Sequence, residues 1–173
     1  SRKMRELPEQ GKAVGKMLYV FHFDLNEFRS VLILLVLAVA GFAFYKFSAN
    51  DWQKGLGLLA GIITAILFVF VTISHTWDYF EKKAALENGQ YETVEGYVEK
   101  FHAMPPEGHD SEHFVIDGVY FQYTAFEERN GYHRPACQGG VITNDGQYLK
   151  IGYVTNKKGE NVILSIEALD PSK

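Results

Sequence analysis

His109 and His113 stand four residues apart, as do His133 and Cys137. That spacing lets imidazole and thiolate share one zinc ion when a helix or tight turn presents both members. The surroundings do not supply such a presentation: His113 opens a predicted strand and His109 sits in a loop with Pro105, Pro106 and Gly108. The four are therefore read as unrelated loop and strand-edge residues, and no metal or other cofactor is expected. Cys137 beside His133 also has the makings of a nucleophile and its base, but no third orienting group or oxyanion turn accompanies them, and no enzyme is expected. Asp110, Glu112, Glu127 and Glu128 form a carboxylate-rich set that reads as solvated surface.

A second set points to binding rather than reaction. Tyr97, Tyr120, Tyr123 and Tyr132 offer stacking faces, Arg129 and Arg134 offer forked donors, and Gly139-Gly140 can turn backbone N–H groups toward an anion. A nucleotide or phosphate group would suit them. The competing reading, which is preferred, has the tyrosines filling the inside of a small barrel and the arginines paired with Glu127 and Glu128.

These residues all lie in the second half of a chain of 173 residues whose composition is not uniform. Residues 31–45, VLILLVLAVAGFAFY, and 55–73, GLGLLAGIITAILFVFVTI, contain no ionisable side chain except the tyrosine that ends the first. A helix needs about 20 mostly apolar residues to cross about 30 Å of hydrocarbon. The second run meets that length, and Phe28 and Phe47 extend the first while Arg29 and Lys46 snorkel to the headgroups. The alternative, a pair of core helices in a soluble bundle, needs a far larger core than this chain supplies.

A two-helix transmembrane hairpin over residues 31–80 is thus expected, turning at Asn50-Asp51, with Trp52 at one boundary and Trp77, Tyr79 and Phe80 at the other. No cleaved signal peptide is expected, since a second span follows the first at once. Arg2, Lys3, Arg5, Lys12, Lys16 and Arg29 before the hairpin and Lys82 and Lys83 after it outweigh Lys46 and Lys54 within it, which puts both termini in the cytoplasm. Residues 1–30 form a cytoplasmic segment whose part 17–28, MLYVFHFDLNEF, is expected to lie on the bilayer surface. Gly57 and Gly61 make a GxxxG pair, which serves either dimerisation or packing against the first helix.

Residues 81–89 continue the second helix as a stalk that stops at Asn88-Gly89. From residue 90 to 173 the pattern is strand-like. Residues 93–101 alternate, with Val94, Gly96 and Val98 on one face and Tyr97 and Phe101 on the other. Residues 113–116 and 119–123 flank Asp117-Gly118, a strong hairpin signal, and 147–154 and 161–167 complete five strands. An open sheet of that size leaves edges and an apolar face exposed, so a small five-stranded barrel of the OB or SH3 kind is expected. The net charge of −4 argues against a general nucleic-acid binder, and the single Cys137 excludes an intrachain disulfide.

The runs Glu107-Gly108-His109, Glu112-His113-Phe114, Asp117-Gly118-Val119-Tyr120-Phe121-Gln122-Tyr123, Gly131-Tyr132, Gly139-Gly140-Val141-Ile142 and Leu149-Lys150-Ile151-Gly152-Tyr153 resemble a family of uncharacterised bacterial membrane-anchored small β-barrel proteins. The likeness covers about the last eighty residues and implies a bacterial inner-membrane location without implying a catalytic role. The plan of two spans followed by a β-rich domain also resembles the membrane effectors of bacterial cyclic-oligonucleotide anti-phage systems, in architecture rather than motif. Two functions follow as expectations. One is a non-catalytic membrane module that docks a protein partner or a second copy of itself. The other is an effector that senses a nucleotide-like anion and oligomerises through its helices.

Overall fold

The computed structural model describes residues 15–24, 28–127 and 130–170. Its elements run β1 (Lys16–Val20), α1 (Arg29–Phe47), α2 (Asp51–Glu87), β2 (Glu92–His102), β3 (Glu112–Ile116), β4 (Val119–Tyr123), a 3-10 turn (Ala136–Gln138), β5 (Tyr148–Thr155) and β6 (Asn161–Ala168).

Both helices form where the apolar runs predict them. α1 closes at Ser48, whose N–H and hydroxyl both donate to the Phe44 carbonyl, at 3.0 and 2.7 Å. Asn50 is extended at the start of α2, so the reversal takes only Ser48, Ala49 and Asn50. Glycine lets the two backbones approach. A Cβ on Gly41 would lie 2.7 Å from the Gly61 nitrogen, and one on Gly57 would lie 2.7 Å from the Tyr45 nitrogen. The GxxxG pair is thus engaged by α1 of the same chain, which is the intrachain member of the two expected alternatives.

Away from that seam the helices stay apolar and uncovered: Val36, Val39, Ile66, Phe70 and Ile73 are 60–70% exposed. Both helices are long and apolar enough to cross a membrane. α2 has 37 residues and is about 55 Å long at the usual rise. It therefore outruns ~30 Å of hydrocarbon by several turns. It ends as expected at Asn88-Gly89, where Gly89 takes φ 67° and the Gln90 N–H returns to the Ala85 carbonyl at 2.8 Å.

The strands make one antiparallel sheet in the order β1-β6-β5-β2-β3-β4. This differs from the expected five-stranded closed barrel in two ways. β1 adds a sixth strand by pairing with β6 (Val20 opposite Ser165), so residues 17–20 of the 17–28 segment expected on the bilayer surface belong to the sheet instead, while 25–27 lie outside the described residues. The order is also open, β1 and β4 being its two edges.

The sheet folds over itself because β2 is shared. Its first half pairs with β5 from Glu92 to Tyr97, and its second half pairs with β3 from Val98 to His102. Gly96 at the crossover leaves 3.2 Å between a would-be Cβ and Ile116. The two half-sheets meet near β4 and β6, where the Asn161 side chain donates to the Tyr120 carbonyl at 3.0 Å. A positive φ of 54° at Lys100 breaks the register between Glu99 and His102 and turns Phe101 against the core, rather than onto the Tyr97 face where strict alternation puts it. Val94, Val98, Phe114, Ile116, Phe121, Leu149, Ile151, Ile163 and Ile166 fill the space between the half-sheets.

Asp117 (φ 43°) and Gly118 (φ 79°) both take positive φ, as the favoured two-residue hairpin requires. Gly118→Val is expected to cost about 1–3 kcal/mol in urea unfolding of the β domain, leaving helix content unchanged. In the hairpin, Gly41→Val is expected to lower the thermal unfolding midpoint in detergent, because its side chain meets backbone. Gly55→Ala has open space around it and is expected to leave the midpoint where it is.

Candidate functional site

The structure divides the residues singled out for binding into a buried group and an exposed group. Tyr123 and Tyr132 are core residues, 1% and 5% exposed, with ring centroids 5.4 Å apart. Glu112 joins them. Fully buried at the start of β3, it accepts the Tyr123 hydroxyl at 2.7 Å with one oxygen and the Ala136 N–H at 2.8 Å with the other. It was expected on the surface with Asp110 and Glu127, and the structure corrects this. Positions 112, 114 and 116 share the inner face of β3, so strand alternation carries Glu112 inward with Phe114 and Ile116. Burial, and then the Glu112 carboxylate, push the Tyr123 phenol far above its ordinary range. Burial also raises Tyr132, whose oxygen accepts the Val141 N–H at 2.7 Å.

These contacts close residues 130–142 into a compact loop. Within it Arg134 Nε donates to the Gln138 carbonyl at 2.9 Å. The Gly139 and Gly140 N–H groups donate to the Ala136 and Pro135 carbonyls at 3.0 and 2.9 Å. The glycines are needed for the closure itself, since Gly139 takes φ 79° and a Cβ on Gly140 would collide with the Arg134 carbonyl. Their N–H groups therefore face carbonyls of their own loop rather than an anion. Glu128 and Arg129 lie outside the described residues.

Among the described residues no three His, Cys, Asp or Glu side chains gather as a metal site. His133 Nδ1 contacts the Gly131 carbonyl at 2.9 Å, Cys137 is exposed, and His109 takes φ 71° in its loop. His113 stacks instead on His102, centroids 4.6 Å apart, and His102 Nε2 lies 2.8 Å from Asp110 Oδ2. The Ser111 N–H, and next the His102 imidazole, hold the Asp110 carboxyl below its ordinary value. Tyr120, half exposed, stands beside this pair, and burial raises its phenol.

Tyr97 is the other exposed member. It faces outward from the other half-sheet, directly opposite Tyr148 on β5, ring centroids 4.8 Å apart in an edge-to-face pair. The Tyr148 hydroxyl donates to Glu95 at 3.0 Å, which raises its phenol. Beside the rings Glu95, Lys150 and Glu167 stand in register across β2, β5 and β6, an alternating charge row on rigid strands. Sequence reading picked out Tyr97 and missed Tyr148. Tyr148 lies within the expected 147–154 strand on the same face as Lys150, and that shared parity is the signal that could have found it.

The β domain lies against α2 instead of standing off on a bare stalk. Asn130, 1% exposed, donates to Asp78 Oδ2 at 2.7 Å and to the His75 carbonyl at 3.3 Å. Lys82, 7% exposed, pairs with Asp78 one turn earlier. Phe21 and Phe23, leaving β1, place their rings 5.4 and 5.6 Å from Tyr79.

No family model, curated protein or solved structure matches the chain.

Removing the Tyr123 hydroxyl leaves one buried Glu112 oxygen without its donor. Tyr123→Phe is therefore expected to destabilise the β domain by about 1–3 kcal/mol in urea unfolding. Because the Asp110 pKa is lowered in the folded protein, its contribution is present above the ordinary carboxylate pKa and is lost as pH falls through the lowered value. Carboxyl-detected NMR should find Asp110 titrating below the ordinary aspartate value, and His102→Ala should move it back toward that value.

Proposed function

We propose that this is a two-pass membrane protein without a catalytic role, whose β domain docks a protein partner at the membrane surface as an accessory module of a membrane complex. The observation that carries the reading is the outward Tyr97–Tyr148 pair with its Glu95-Lys150-Glu167 row. Aromatic side chains on rigid strands give up little conformational freedom on binding and are enriched at the centres of protein interfaces. A charge row beside them sets the register of a partner.

Two further features support a membrane-surface module. The helices leave their apolar faces uncovered, which suits hydrocarbon surroundings. Asn130, Asp78 and Lys82 hold the sheet against α2, so a partner on the sheet would keep a fixed orientation to the bilayer. In this reading the membrane is the bacterial inner membrane. In the same reading, Lys16 before α1, Arg29 at its first position, and Lys82 and Lys83 after the span favour a cytoplasmic β domain and cytoplasmic termini.

The alternative of an effector gated by a nucleotide-like anion has less support. Tyr123 and Tyr132 are interior, and the Gly139 and Gly140 donors already have acceptors. Gly57 and Gly61, its proposed oligomerisation face, are taken by α1.

A photo-crosslinking residue at Lys150, expressed in the native host, is expected to give a discrete protein adduct that disappears in Tyr97→Ala/Tyr148→Ala. Adducts that persist in the double variant, or arise only from a crosslinker at Tyr120 on the other half-sheet, contradict the docking face. For topology, a cysteine at Asn50 in a Cys137→Ser background should react with an impermeant thiol reagent from outside the inner membrane. Labelling of a cysteine at Lys150 instead would reverse the orientation.

A further inference from the structure

A groove of about 960 Å³ separates the membrane-proximal part of α2 from the loop between β5 and β6. We infer that it binds one anionic glycerophospholipid, with acyl chain against Phe70 and Ile73 and phosphate between Lys157 and Lys158. The inference rests on the membrane reading proposed above and goes beyond it in naming a ligand.

The groove changes character along its length as such a lipid does. Phe70, Ile73 and Trp77 line one end and are 70%, 62% and 74% exposed, successive members of a stripe on the part of α2 that would leave the hydrocarbon. Trp77 is the residue type that settles at that boundary. About 10 Å separates Phe70 from Trp77 along the axis, after which the lining turns polar.

The facing wall carries Lys157 and Lys158. Their loop is a built turn: Asn156 Oδ1 accepts the Lys158 and Glu160 N–H groups at 2.9 and 3.0 Å, and the Gly159 N–H returns to the Asn156 carbonyl at 2.9 Å. Among the described residues neither lysine makes an ion pair. Of the carboxylates lining the groove, Asp78 is neutralised by the buried Lys82, which leaves Lys157 and Lys158 against the single carboxylate of Glu81 in the lining. A soluble anion would use the lysines and ignore the apolar wall, and a neutral lipid would do the reverse. An anionic glycerophospholipid uses both ends at once.

The test uses the full chain, purified in detergent and delipidated, in a Trp52→Phe background so that Trp77 alone reports. Brominated phosphatidylglycerol is expected to quench Trp77 with at least about tenfold higher apparent affinity than brominated phosphatidylcholine, as two lysines at an anionic headgroup warrant. Lys157→Gln/Lys158→Gln should abolish that preference while leaving the thermal midpoint and phosphatidylcholine quenching unchanged, and Lys150→Gln should retain it. Equal affinity for the two lipids, or a preference that survives the double variant, overturns the site. Relief of quenching by inorganic phosphate would mean that a soluble anion occupies the lysines, and this too overturns it. Release of the chain from native membranes by alkaline carbonate would defeat the membrane reading itself, whereas a carbonate-resistant chain without lipid preference defeats the lipid site alone.

Discussion

The pairing of β1 with β6 governs how the two halves of this molecule relate. β1 lies before the helical hairpin in the chain and β6 lies after it, so this ladder brings both ends of the hairpin to one sheet. The entry to α1 and the exit from α2 are held together by backbone hydrogen bonds as well as by the glycine seam between the helices. With β1 in place, Phe21 and Phe23 come to rest on Tyr79 of α2, and β6 is no longer an open edge. The Asn130–Asp78–Lys82 cluster then has a fixed surface to seal. A buried lysine is tolerated there because its partner carboxylate stands one helical turn away and that carboxylate is itself hydrogen-bonded from the sheet.

Within the β domain one strand likewise serves two structures. β2, 11 residues long, belongs to both half-sheets, bending where Gly96 has no side chain and again where Lys100 takes a left-handed conformation. The fold-over encloses an apolar core without closing a barrel, and the open edge at β4 is short. Glu112 gives the enclosure its polar anchor: by accepting both the Tyr123 hydroxyl and the Ala136 N–H, it ties the long loop to the β3–β4 hairpin. With that anchor in place, Tyr123 and Tyr132 face inward and Arg134, Gly139 and Gly140 bond within their own loop.

Much of this was legible in the sequence because it depends on local physics. The apolar runs, Asn88-Gly89, Asp117-Gly118 and the alternation of β2 through Val98 act over a few residues. What the sequence concealed depends on partners far along the chain. Met17, Leu18, Tyr19 and Val20 suit a bilayer surface as well as a strand, and only β6 decides between them. At the register break beside Lys100, Asp145 accepts the Phe101 N–H at 2.7 Å from 44 residues away, a partner that local pattern does not reveal. Glu112 was misread because its charge outweighed its parity, although parity was visible. Of the candidate site, the preferred reading places all four tyrosines inside, whereas Tyr97 and Tyr120 are exposed on the strand faces. Tyr123 and Tyr132 followed the preferred interior reading, though the interior is that of a folded-over sheet.

The order of strands along the chain also sets an order of events. β1 is made before the helices and its partner β6 only after every other described element, so the ladder between them closes last. Until then the hairpin has emerged with nothing to hold its two outer ends together except its glycine seam, and β1 waits unpaired beside it. Ladders between strands so distant in sequence form slowly, since the chain loses conformational entropy in bringing them together before their hydrogen bonds can compensate. In the membrane reading proposed above, insertion of the helices therefore comes before completion of the sheet during synthesis, and the bilayer is the scaffold on which the first strand is kept close to where the last will arrive.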